Sequence, residues 1–234
     1  RRDFTVNSLY YNIEDYSVID YADGMADIRS GTLRIMGDAA QRYREDPVRM
    51  LRAVRFAAKL GFRIHPDTES AIFDQAHLLE DISPSRLFEE TLKLFMSGKA
   101  LQTFELLRQH HLFGYLFPAT EESLAEEEQG FPHILVSKAL SNMDNRVAEG
   151  KSVTPAFLYA AFLWEPVRSL TERIQMEESM GVIPAIQLAG NRIVSAHAKN
   201  TSIPKRFSFP MRDIWNLQPR LNSITGSRPH KLIT

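Results

Sequence analysis

The spacing of apolar residues changes character near residue 45. Before that point FTVNSLYYNI (4–13) and SVIDYA (17–22) are short, β-branched and aromatic, and TLRIMGD (32–38) has the same look. Runs of this kind predict extended strands. After it, apolar positions recur at helical intervals. EDPVRMLRAVRFAAKLGF (45–62) predicts a helix with Asp46 as N-cap, Pro47 at its first position and Gly61 at its end. SPSRLFEETLKLFMSG (83–98) repeats that order with Ser83, Pro84 and Gly98, and its apolar residues fall at 87, 88, 92, 95 and 96. TFELLRQHHLFGYLF, ILVSKALSNM, FLYAAFLW, AIQLAGNRIVSAHA and FPMRDIWNLQPRL predict further helices, whereas the acidic EESLAEEEQG (121–130) predicts a solvated loop or an exposed helix face. The expected class is therefore mainly α, the end of an α/β unit feeding a long helical body.

Composition narrows the chemistry. With 234 residues, 44% hydrophobic and 24% charged, the chain can bury a sizeable core. Its formal charge of −1 gives a polyanion no net attraction, so the placement of arginines matters more than their number. There is no cysteine, which excludes disulfides, zinc–thiolate sites and thiol nucleophiles and suits a reducing cytoplasm. The longest apolar run, VTPAFLYAAFLW (153–164), is far shorter than the ~20 residues of a membrane span. Seven histidines include one adjacent pair, His110 and His111, whose side chains point to different sides of a helix and read as packing and surface rather than metal ligands.

Asp46 and Arg49 lie three positions apart, on neighbouring lines of one helix face. A carboxylate accepts two hydrogen bonds and a guanidinium donates a rigid fork. Adenine and cytosine offer an amine donor beside a ring-nitrogen acceptor, which such a pair would match, while guanine and uracil present the reverse. Each unmatched buried polar group costs ~1–3 kcal/mol, roughly one to two decades of selection. The competing reading has Asp46 capping the helix and Arg49 paired with a carboxylate such as Glu45. Arg49, Arg52 and Arg55 recur every three residues and form a cationic stripe. Stacked arginines repel unless an anion lies across them, so the stripe implies either a triphosphate or structural salt bridges with Glu89, Glu90 or Asp27.

RRDFTVNSL (1–9), DYADGMADIRSGTLR (20–34) and EDPVRMLRAVRFAAKLGF (45–62) resemble three successive motifs of the class II nucleotidyltransferases, the family of bacterial poly(A) polymerases and CCA-adding enzymes. The resemblance implies a nucleotidyltransferase head ending at 1–44, a helical neck with a base-reading helix at 45–118 and a helical, RNA-binding body at 119–234. By position it places nucleotide contacts on Arg2, Asp3, Asn7, Asp46, Arg49, Arg52 and Arg55. Asp20, Gly24, Asp27 and Arg34 fall on the motif acting between head and neck. An aspartate that accepts and an arginine that donates can together recognise a ribose 2′-hydroxyl; the competing reading of Arg2 and Asp3 is a surface ion pair.

PSRLFEETLKLFMSGKALQTFELLRQHHLFGYLFP (84–118), VTPAFLYAAFLW (153–164) and SIPKRFSFPMRDIWNLQPRL (202–221) are similar to the body of the poly(A) branch. There Lys205, Arg206, Arg212, Trp215, Arg220, Arg228 and Lys231 offer cations and an aromatic surface suited to single-stranded RNA. Phe207, Ile214, Trp215 and Leu217 read equally as core. In the family, two Mg2+ ions are held by a carboxylate pair on a strand that precedes RRDFT, and no Asp-x-Asp spacing occurs among Asp3, Asp20, Asp23 and Asp27. The expectation is a chain truncated at both ends and inactive alone, with no catalytic or metal residue of its own. Its parent would add AMP from ATP to RNA 3′ ends without a template. A CCA-adding enzyme is the alternative, and a non-catalytic RNA-binding helical module is the alternative from another class. Oligomeric state is not fixed by the sequence.

Overall fold

The computed structural model describes residues 2–126 and 133–225. These form two compact units, the first running to Leu116 and the second starting at Phe117.

In the first unit the opening residues pair with a segment thirty residues on. Thr5 N–H donates to the Arg34 carbonyl at 3.0 Å and Met36 N–H to the Asp3 carbonyl at 2.9 Å, with Phe4 opposite Ile35. The strand expected over 4–13 is only partly formed. Thr5–Asn7 make a 3-10 turn, because Asn7 Oδ1 accepts the Phe4 N–H at 3.2 Å and Ser8 Oγ donates to the Phe4 carbonyl at 2.8 Å. Short polar side chains here compete with the ladder. Strand β1 (Leu9–Tyr11) follows and pairs antiparallel with β2 (Val18–Asp20), Tyr10 opposite Ile19.

Helix α1 (Gly24–Ser30) packs its first residue against the turn. A Cβ at Gly24 would sit 2.3 Å from the Thr5 carbonyl oxygen, so only glycine allows the approach. Strand β3 (Thr32–Leu33) is shorter than the run at 32–38 predicts, and pairs parallel with β4 (Arg63–Ile64).

The helix expected over 45–62 is two helices. Helix α2 (Ala39–Glu45) starts under Asp38, whose Oδ1 accepts the Gln41 N–H at 2.7 Å; α3 (Val48–Leu60) ends at Gly61 with φ 68°. Between them Asp46 is extended (φ −154°, ψ 94°) and its side chain caps nothing, contrary to expectation. The cause is Pro47, whose ring excludes the helical region for the residue before it. Helix α3 buries Val48, Met50, Leu51, Ala53, Val54, Ala57 and Ala58 and turns its arginines outward. It packs on α5 (Pro84–Phe95) and α6 (Ala100–Gln109). Helices α4 (Pro66–Gln75) and α7 (Phe113–Leu116) complete the unit. Ser83 precedes α5 as expected, but its hydroxyl makes no cap bond. His110 is buried, with Nδ1 2.7 Å from the Leu106 carbonyl and Nε2 2.8 Å from Glu69, a packing role.

Every regular element among the second unit's described residues is a helix: α8 (Pro118–Glu126), α9 (His133–Ala148), α10 (Pro155–Glu178), α11 (Val182–His197) and α12 (Lys205–Thr225). The acidic segment expected as a loop or exposed helix face is thus helical up to Glu126, and its remaining residues lie outside the described ones. Helix α10 is the axis on which α8, α9, α11 and α12 pack, and it runs past Pro166. That proline has no N–H for the carbonyl of Phe162, four residues back. Thr120 Oγ1, buried in α8, donates to this oxygen instead at 2.8 Å. Phe117, Phe162 and Tyr159 cluster around the junction, with Phe117 and Phe162 ring centroids 4.5 Å apart.

Candidate functional site

Asp3 is the hub of the first unit's polar centre. Its main chain is fixed by the bond to Met36, and its side chain is buried, 8% exposed, beneath the arginines of α2 and α3. Arg49 Nε donates to Asp3 Oδ1 at 3.2 Å, Arg52 Nη2 lies 2.8 Å from Oδ2, and Arg42 Nη2 lies 3.5 Å from Oδ1. Glu45 joins from the side, with Oε2 2.8 Å from Arg42 and 3.0 Å from Arg49. Arg49 and then Arg42 hold the Glu45 carboxyl below its ordinary range. Two carboxylates therefore face three guanidiniums, and the cluster keeps one positive charge. Arg49 Nη1 also donates to the Arg42 carbonyl at 2.7 Å, tying α3 to α2 across the Pro47 break.

The surface-pair reading of Asp3 does not survive, since its partners are the three arginines and Arg2 is exposed. The salt bridges that neutralise the stripe come from Asp3 and Glu45, and not from Glu89, Glu90 or Asp27. Arg55 belongs to neither set; its guanidinium lies 5.3 Å from the Phe56 ring centre. Asn7 closes the 3-10 turn.

The side chains of Asp46 and Arg49 are not joined; only the Arg49 backbone N–H reaches Asp46, at its carbonyl, 3.0 Å away. Both Asp46 oxygens accept from Arg86 Nη2 of α5, at 2.9 and 3.0 Å, while Arg49 faces Asp3 and Glu45. The extended backbone at Asp46 turns its side chain off the helical line that the spacing assumed. Sequence reasoning also missed Arg42 and Arg86. Arg42 carried a signal, standing three residues before Glu45 and seven before Arg49; Arg86, forty residues from its partner, carried none.

Asp27 forms a second polar centre in the same unit. It is buried, accepts the Thr5 hydroxyl at 2.6 Å and binds Arg34 through both oxygens at 3.2 and 3.3 Å. Asp20 takes the N–H groups of Ala22, Gly24 and Met25, which lower its pKa, Met25 most. A cavity of about 460 Å³ opens beside the cluster, lined by Arg2, Arg42, Ser8, Tyr10 and Tyr21. A second, of about 610 Å³, shares Ala22, Met36 and Gly37 with it and continues to Arg34 and His65.

In the second unit Lys205, Arg206 and Arg220 are exposed on α12, and Arg212 is half-buried with Nη1 3.4 Å from Ser208 Oγ. Trp215 corrects the expectation of an aromatic surface: it is 1% exposed and its Nε1 donates to the Ala160 carbonyl at 3.0 Å. Its spacing on α12 puts it on the α10 side, where burying the largest side chain gains most. Arg228 and Lys231 lie outside the described residues.

Three family models match the chain: Poly A polymerase head domain at residues 1–34, Probable RNA and SrmB-binding site of polymerase A at 61–124, and Polymerase A arginine-rich C-terminus at 178–234. Poly(A) polymerase I of Salmonella typhi is 45% identical over 233 residues, the whole of this chain and 50% of that protein. The chain belongs to the class II nucleotidyltransferases. This nucleotidyltransferase chain spans about half the length of the curated relatives it matches. A CCA-adding enzyme of Leuconostoc mesenteroides is 42% identical over 116 residues, 50% of this chain and 29% of that protein. A solved tRNA nucleotidyltransferase, complexed with a primer tRNA and an incoming ATP analog, shares the fold at 22% identity and a TM-score of 0.58, covering 99% of this chain and 60% of that one. Among the described residues no helix is long and apolar enough to cross a membrane.

Proposed function

We propose that the protein carrying this chain adds AMP from ATP to RNA 3′ ends without a template. The observation that carries the reading is the buried Asp3 that gathers Arg42, Arg49 and Arg52 beside a cavity walled by Arg2 and Arg42. A cluster with surplus positive charge suits a triphosphate, since guanidinium forks match phosphate oxygens. Whole-chain likeness to poly(A) polymerase I supports AMP addition over CCA addition, for which the likeness covers half the chain. A cytoplasmic setting, where ATP and RNA meet, belongs to the same reading.

Within it, 1–44 is the end of the head, 45–118 the neck and 119–234 the body. Asp3 and Arg2 are the candidates for ribose and phosphate contact, with Asn7 holding their turn; Arg52 and Arg55 extend the cationic face. Asp46 and Arg49 read the base edge after exchanging partners, Asp46 leaving Arg86 and Arg49 leaving Glu45. The Asp46–Arg86 pair is solvent-accessible, so giving it up costs about 0–1 kcal/mol. Lys205, Arg206, Arg212 and Arg220, with Arg228 and Lys231, would track the RNA backbone.

Mg2+ does not fit the residues present. Among the described residues no three His, Cys, Asp or Glu side chains gather at a point, and Asp3, Glu45 and Asp20 are already held by guanidiniums or backbone N–H groups.

The test is nucleotide incorporation by the full-length protein with a generic RNA and with a tRNA lacking its 3′ end, ATP and CTP being supplied separately and together. Long tails from ATP on either RNA, with CTP unused, are expected. Addition of only C, C and A to the tRNA would make it a CCA-adding enzyme, and RNA binding without incorporation would make it a non-catalytic module.

A further inference from the structure

A cavity of about 280 Å³ lies between α11 and α12, remote in sequence from the arginine cluster. Helix α11 contributes Gln187 and Asn191, four residues apart on one face. Helix α12 contributes Phe209, Arg212, Asp213 and Asn216, at the i, i+3, i+4 and i+7 positions of one face. Trp215 closes the inner end, locked by its bond to Ala160 and so close to α11 that a Cβ at Gly190 would lie 3.1 Å from its ring.

Three features single this cavity out. Arg212 Nε and Asn216 Oδ1 are buried and have no hydrogen-bond partner, an uncommon state for buried polar atoms. Phe209 is 59% exposed, a large aromatic ring left in solvent, with the Arg212 guanidinium 5.8 Å from its centre. Apart from Ile186 and Trp215, the rest of the lining is the amides of Gln187 and Asn191 and the carboxylate of Asp213, groups that can donate to and accept from the edge of a flat ligand. The volume sits just under the ~300–1,000 Å³ of ordinary small-molecule sites, room for one base and not for a whole nucleotide.

We infer that this cavity takes a single unpaired adenine of an RNA strand. An aromatic face accepts any base by stacking. The edge groups then choose: Asn and Gln amides match the N6 and N7 of adenine, and the Asp213 carboxylate accepts from an exocyclic amine. Uracil has no such amine; its one ring N–H lies between two carbonyl oxygens, so it cannot offer an amine donor beside a ring-nitrogen acceptor as adenine does. Lys205 and Arg206, exposed on the first turn of α12, are placed for the phosphates of the same strand. The inference rests on the reading that the protein works on RNA 3′ ends, and adds that it holds an adenine of the strand away from the reacting end.

The test is fluorescence anisotropy of the full-length protein with short oligo(A) and oligo(U), in the wild type, Phe209→Ala and Arg206→Ala. The wild type binds oligo(A) more tightly than oligo(U). Phe209→Ala weakens oligo(A) about tenfold, the scale of one stacked base, and brings the two RNAs close together. Arg206→Ala weakens both alike. Because Phe209 is exposed, its removal leaves the core intact. Unchanged oligo(A) preference in Phe209→Ala, in a protein that still adds AMP, overturns the pocket alone. Failure of the wild type to bind either RNA or to add AMP overturns the polyadenylation reading and the pocket with it.

Discussion

Helix α10 crosses Pro166 because Thr120 supplies the donor that the proline lacks, and this can be tested by a double-mutant cycle. Thr120→Val keeps the side-chain shape and removes the hydroxyl. Thr120 is 1% exposed and Phe162 is fully buried, so water has no ready access to replace the lost bond. Removing one partner of a buried hydrogen bond costs about 1–3 kcal/mol. Pro166→Ala restores a helical N–H to the same carbonyl, so in that background Thr120→Val should cost about 1 kcal/mol less. The chain's two tryptophans, Trp164 and Trp215, both sit in the second unit, and their fluorescence follows that unit during urea denaturation. With an m-value of about 2 kcal/mol/M, a loss of ~2 kcal/mol moves the midpoint by roughly 1 M. Strict additivity of the two substitutions would refute the exchange of donors.

Other outcomes follow from the same geometry. Arg86→Ala frees Asp46 from its ion pair, and under the base-reading proposal it lowers the KM for ATP of the full-length protein by up to about fivefold, the scale of an exposed pair; a raised KM contradicts the role. Gly24→Ala drives a methyl into the Thr5 carbonyl and should cost at least about 1–3 kcal/mol, read as a lowered melting temperature; wild-type melting would show that the close approach is not enforced. Burial pushes the His197 pKa down to about 4 from 6.5, so the unfolded chain takes up a proton that the folded one refuses between these values. Stability of the second unit is therefore full above pH 6.5 and falls towards pH 4, by on the order of 3 kcal/mol. His197→Leu should flatten that fall in tryptophan-detected denaturation, and an unchanged slope would assign it to other groups.

Local grammar was legible in the sequence where local forces decide. Pro84, Gly61 and the period of α3 located their helices, and the spacing of Arg49 and Arg52 placed them on one outward face. What the sequence hid depends on partners distant along the chain. From its neighbours in sequence Asp3 reads as half of a surface ion pair until Arg42, Arg49 and Arg52 are brought over it from 39 to 49 positions away. The two-residue strands β3 and β4 exist only because they pair with each other. Asp46 was misjudged through its neighbour: the proline that announces a helix also forces the preceding residue out of it, so Asp46 reaches Arg86 rather than capping α3. Trp215 shows the opposite limit, since an aromatic beside arginines looks the same on paper whether it faces RNA or the core.

The Asp3 hub also bears on how quickly an anion can be taken up. Gathering three guanidiniums from flexible side chains is normally slow and entropically unfavourable, and in most anion sites it accompanies ligand arrival. Here the repulsion and the lost rotamer freedom are met during folding, by a carboxylate that stays behind when the ligand leaves. Under the proposed function the receiving surface is thus preorganised, with its guanidiniums already gathered when a phosphate arrives. A surface gathered in advance loses less of its binding energy to ordering side chains, a useful property wherever one nucleotide must follow another.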